Sequence, residues 1–94
     1  MSSPSESRKA FKVHGIVQGV GFRWWAQHQG RSLGLRGTVR NCADGTVEIT
    51  FAGPHDAVEE MRRRLQVGPS AGQVRELEEL AAPRQLPETF QIGF

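Results

Sequence analysis

Between Ala10 and Phe94 the spacing of apolar residues switches repeatedly between a period of two and a period of about 3.6, and the order of those switches constrains the fold more tightly than any single residue. From Ala10 to Val17, Phe11 and Val13 alternate with Lys12 and His14, the pattern of a half-buried strand. Gln18-Gly19-Val20-Gly21 follows as a glycine turn. Phe22 to Leu33 sets Phe22, Trp25, Ala26, Gln29 and Leu33 at helical spacing, and Gly34 stands where a helix C-terminal glycine is expected. Leu35 to Arg40 returns to a strand. Asn41-Cys42-Ala43-Asp44-Gly45 is a turn cluster whose Asp-Gly pair favours positive φ. Val47, Ile49 and Phe51 then alternate with Glu48 and Thr50, and the short turn predicts antiparallel pairing of these two strands. After Gly53-Pro54, His55 to Val67 forms a second helix with Ala57, Val58, Met61 and Leu65 on one face and Glu59, Glu60 and Arg62 to Arg64 on the other. Val74 to Leu80 reads as a strand, though its glutamates also suit a helix, and Phe90, Ile92 and Phe94 alternate as a last strand.

That order is β-α-β-β-α-β with an extra C-terminal strand. Two right-handed β-α-β crossovers joined by a hairpin put both helices on one face of an antiparallel sheet, which is the ferredoxin-like α/β sandwich of the α+β class. A chain of 94 residues has room for one such domain, here residues 9–94, after a polar tail over residues 1–8 expected to be disordered. No apolar run approaches the roughly 18 residues of a membrane span, and the polar N-terminus lacks a secretory signal. The single cysteine, Cys42, has no internal disulfide partner, so the expected compartment is the reducing cytoplasm. A net charge of +2 is too small to argue for nucleic acid. With no long apolar edge or heptad pattern, the expected state is a monomer.

The segment Gln18-Gly19-Val20-Gly21-Phe22-Arg23 carries the strongest chemical signal. Glycines between a strand and a helix let successive backbone N–H groups converge, and the helix N-terminus adds positive partial charge at the same place. Arg23 brings a planar guanidinium able to grip phosphate oxygens bidentately. Neither a P-loop nor a dinucleotide glycine motif is present. On spacing alone the same residues also describe a plain tight turn followed by an exposed arginine. Asn41 ends the second strand, which runs parallel to the first, so it falls at the same end of the sheet as the glycine loop. Its amide suits a water or an oxyanion, and equally an Asx-type turn. His14, His28, His55 and Cys42 lack metal-ligand spacing, and Cys42 reads as an inert turn thiol. Of the adjacent Trp24 and Trp25, helix geometry sends one toward the core and leaves the other partly exposed.

Val13-His14-Gly15-Ile16-Val17-Gln18-Gly19-Val20-Gly21-Phe22-Arg23 resembles, position for position, the first signature of the acylphosphatase family. Gly37-Thr38-Val39-Arg40-Asn41, with Gly45, Val47 and Gly53, resembles the second. Ser32-Leu33-Gly34-Leu35 and Phe90-Gln91-Ile92 are similar as well, so the resemblance spans Ala10 to Phe94. Thr38 departs from it, standing where the family usually carries an aromatic. The resemblance implies hydrolysis of the carboxyl–phosphate bond of acyl phosphates, with Arg23 and Asn41 as the catalytic residues. The phosphate would rest on backbone N–H groups from Gln18, Gly19, Val20, Gly21, Phe22 and Arg23, with no metal and no cofactor. Inorganic phosphate, the product, is then expected to inhibit competitively.

Two rivals follow from the fold and the family. An RNA-binding module would need exposed aromatics on the central strands, where the sequence offers only Phe11 and Phe51 outside any RNP-type pattern. The other is a similar domain inside a larger carbamoyl-transfer protein. Against it stand Met1 at the start and the lack of zinc-finger cysteines after Phe94, and the expectation is a free-standing enzyme.

Overall fold

The computed structural model describes residues 6–93. Within them the chain forms β1 (Glu6–Ile16), α1 (Phe22–Ser32), β2 (Arg36–Asn41), β3 (Val47–Pro54), α2 (His55–Val67), β4 (Gln73–Leu80) and β5 (Phe90–Ile92). The strands make one sheet in the order β4-β1-β3-β2-β5, and the two helices share a single hydrophobic core with it. The glutamate-rich segment is a strand because β1 offers it a free edge, with Val13 opposite Leu77. Inward-facing Phe11, Val13, Val39, Val47, Ile49 and Phe51 are all but fully buried against Val58, Met61 and Leu65 of α2. Phe11 and Phe51 are therefore packed together, 6.0 Å between ring centroids, rather than offered to a nucleobase. Helix α1 closes as Gly34 predicted, with Leu35 N–H donating to Gly30 and Gly34 N–H to Arg31. Neither helix is long and apolar enough to cross a membrane.

Two expectations are corrected. The sheet is mixed, not antiparallel throughout, because β5 pairs parallel to β2, with Gly37 opposite Phe90 and Val39 opposite Ile92. The reason is where β4 ends. Leu80 sits opposite Ala10, and Ala10 lies in line with Thr50 and Thr38, near the start of β2. The connection from Ala81 to Thr89 crosses at that end of the sheet and re-enters there, so β5 has to run the same way as β2. Arg8 donates to the carbonyls of Pro83 and Arg84, and Arg36 donates to Leu86, pinning the crossing segment.

The first strand also begins earlier than residue 9. Glu6, Ser7 and Arg8 extend β1 because β3 reaches Pro54 and supplies ladder partners, Glu6 opposite Pro54 and Arg8 opposite Ala52. Glu6 further pairs with Arg36 at 2.6 Å. Residues 1–5 and Phe94 lie outside the described residues.

Helix α1 approaches β5 so closely that a Cβ at Gly30 would stand 2.3 Å from Cδ2 of the buried Phe90 ring. Overpacking of this kind costs about 1–3 kcal/mol. Alanine regains only about 1 kcal/mol of helix propensity over glycine. We expect Gly30→Ala to lower the urea midpoint at an unchanged slope, a loss of stability on the order of 1 kcal/mol. A midpoint at or above that of the parent would contradict this packing.

Candidate active site

The chain leaves β1 at the buried Val17 and turns through a loop whose shape only glycine accommodates cheaply. Gly19 and Gly21 adopt φ of 76° and 75°, the left-handed region, while a Cβ at either would meet nothing within 4 Å. Backbone conformation, not space, requires glycine at both. Gly21 is the N-cap of α1, with no side chain capping the helix and no acidic residue in its first turn. The first turn of α1 therefore carries no carboxylate of its own to compensate its free N–H groups and the positive end of the helix dipole.

Gln18 has a part the sequence did not reveal. Its side-chain Nε2 donates to the carbonyls of Cys42 and Thr46, both at 2.8 Å, fastening the glycine loop to the β2–β3 turn. The turn is stiffened from within. Asp44 Oδ1 accepts from the Thr46 hydroxyl at 2.6 Å and the Thr46 backbone N–H at 3.1 Å, and Cys42 N–H donates to Thr46. The Thr46 hydroxyl, then its amide, hold the Asp44 carboxyl down from 3.8 to about 2. Cys42 takes part through its backbone.

These fastenings bring Gly19, Gly21, Phe22, Arg23 and Asn41 around one cavity of about 280 Å³, completed by Val17, Trp24 and Ile92. Gln18 and Val20 do not line it: Gln18 is the brace just described, and Val20 packs back on the core. Asn41 closes β2 opposite Val47, and its Oδ1 is buried with no hydrogen-bond partner among the described residues. A buried oxygen left without a donor costs about 1–3 kcal/mol, a cost that a bound water or ligand removes. Arg23 Nη1 donates to the Gly93 carbonyl at 3.3 Å, and Gly93 N–H donates to Val39. The parallel β5 thus brings Ile92 and Gly93 to the site, a placement no local pattern in the sequence encodes.

The remaining candidates disperse. His14 pairs with Glu78 at 2.9 Å, His55 contacts Ser7, and His28 stacks on Trp24. No three His, Cys, Asp or Glu residues among those described converge as metal ligands. Trp25 packs against Phe22 and the core, while Trp24 is exposed at the cavity mouth. Thr38 hydrogen-bonds Thr50 across the strands at 2.8 Å and does not line the cavity. Alternation along β2 turns it to the sheet face opposite Asn41, so the missing aromatic leaves the cavity wall unchanged.

The acylphosphatase family model matches residues 9–92. An acylphosphatase of Koribacter versatilis is 43% identical over 93 residues, covering 98% of this chain and 84% of that protein. One of Alkalilimnicola ehrlichii is 44% identical over 88 residues, 94% of this chain and 98% of that protein. Among solved structures, the crystal structure of acylphosphatase from Bacillus subtilis superposes with a TM-score of 0.84 at 29% identity, covering 96% of this chain and all of that one.

The Asp44 turn has a pH signature. Its pKa is lower folded than unfolded, so its stabilising contribution is complete above the ordinary 3.8 and lost as pH falls toward about 2. Asp44→Asn removes that titration. The melting temperature of the parent should exceed that of the variant at neutral pH, and the gap should close on acidification across that window. A gap that is constant with pH, read by circular dichroism, would refute the assignment.

Proposed function

The chain belongs to the acylphosphatase family, and from that premise we propose that it hydrolyses small acyl phosphates with Arg23 and the loop from Gln18 to Arg23 as phosphate cradle and Asn41 as the residue that orients water. An acyl phosphate is a mixed anhydride whose carboxylate leaves readily, so catalysis needs positioning and charge stabilisation more than a strong nucleophile. The guanidinium and the loop N–H groups hold the phosphoryl oxygens and neutralise charge that builds in the transition state. Asn41 Oδ1 accepts a hydrogen bond from water. The water oxygen bonds to phosphorus as the bond between phosphorus and the acyl oxygen breaks, and the carboxylate departs with that electron pair. The proton from water passes to a phosphoryl oxygen, giving inorganic phosphate.

The observation that carries this reading is the buried Asn41 Oδ1, without a hydrogen-bond partner among the described residues, in the same cavity as Arg23 and the two left-handed glycines. A water-sized donor is what that oxygen lacks, and an oxyanion is what the loop and guanidinium attract. The single cysteine, Cys42, has no internal disulfide partner, which suits the cytoplasm.

Phosphate release from benzoyl phosphate, with inorganic phosphate as competitor, separates the two roles. Asn41 acts only as the bond breaks, so Asn41→Ala should lower kcat by about 10²–10³ while the inhibition constant for phosphate barely moves. Arg23 grips the phosphoryl group throughout, so Arg23→Gln should weaken phosphate binding and turnover together. Arg23→Lys should recover little, since an ammonium lacks the planar fork. A folded Asn41→Ala enzyme with near-parental kcat would overturn the division of labour.

A further inference from the structure

Trp24 is 66% exposed, yet it lines the cavity with Arg23 and Asn41. Its neighbour Trp25 is taken into the core beside Phe22, as successive helical positions require. Leaving a second indole in water forfeits a large apolar contribution unless something covers it. The ring is also held in place. His28, one turn further along α1, stacks on it with centroids 5.5 Å apart and planes within 10°. The stacked imidazole, itself exposed, favours this one orientation of the indole over its other rotamers.

The other apolar walls of the cavity are already used. Val17 and Phe22 are buried at 1% and 2% exposure, which leaves Trp24 and Ile92, among the described residues, as the apolar surfaces open to a ligand. The polar groups, Arg23, Asn41 and the two glycines, suit the phosphoryl half of a substrate. Its acyl half then projects past the helix start toward the cavity mouth, where Trp24 stands.

We propose that Trp24, positioned by His28, is the platform for the acyl group and selects acyl phosphates with an aromatic or similarly broad apolar acyl group over those with a small one. This rests on the phosphate-cradle reading above. Aromatic groups gain from offset stacking on an indole beyond the area they bury, and an acetyl group is too small to do so. A surface fixed beforehand loses little rotamer entropy on binding, which is what the His28 stack supplies.

The test is steady-state kinetics with benzoyl phosphate and acetyl phosphate, read as the ratio of their kcat/KM values. Trp24→Ala should lower that ratio about fivefold, mainly through KM for benzoyl phosphate, as loss of an aromatic stacking partner implies. Trp24→Phe should restore most of it, and His28→Ala should lower it about twofold by freeing the indole. Inhibition by inorganic phosphate, which has no acyl group, reads the cradle alone. An unchanged ratio in Trp24→Ala, or a rise in the phosphate inhibition constant as large as the rise in KM, would overturn the platform. Failure of phosphate to compete in the parent enzyme would instead count against the cradle, whatever the ratio does.

Discussion

Strand β3 runs between β1 and β2 and antiparallel to each, with Val47, Ile49 and Phe51 wholly buried under the helices. Because it opposes both, β1 and β2 are parallel to one another and deliver their C-terminal ends to the same edge of the sheet. The glycine loop leaves one end and Asn41 the other. Without β3 between them, the two motifs would be linked only by the residues between them in sequence. The site is therefore a consequence of burying a strand, and the hydrophobic effect that drives that burial also sets the spacing of the chemistry.

Burial brings the two motifs near each other, and polar fastenings fix their separation. The amide of Gln18 joins the loop to the carbonyls of Cys42 and Thr46, and Asp44 locks the turn that carries those carbonyls. Preorganisation of this kind matters most where catalysis depends on fixed dipoles rather than on a reactive side chain. The first turn of α1 is free of acidic residues, and the loop presents left-handed glycines, so positive potential is built largely from backbone. Among the described residues that line the cavity, Arg23 adds the one formal side-chain charge.

The C-terminal strand has a structural and a chemical consequence. Phe90 fills the space against Gly30 of α1, and two residues later Ile92 and Gly93 reach the cavity, where the Gly93 carbonyl accepts from Arg23. Residues some 70 positions apart meet because the segment after β4 crosses the sheet and pairs parallel with β2. The arginine is thus oriented by a strand whose position follows from the end at which β4 finishes.

The sequence by itself determined the elements and the types of residue at the site. Period-two and helical spacings are local properties, and they identify both helices and most strand residues correctly. Gly19 and Gly21 announce left-handed backbone because no other residue adopts it so cheaply, and Arg23 and Asn41 stand at ends where a parallel first and second strand must bring them together. What the sequence left open was decided by pairing across distance. The strand at Gln73–Leu80, the extension of β1 to Glu6 and the parallel β5 each depend on which edge was vacant and where the chain re-entered it. The bracing by Gln18 and the exposure of Trp24 rather than Trp25 likewise depend on neighbours that no local pattern names. A side chain's periodicity tells which way it faces along its own element, but what it faces is fixed only when the other elements have packed.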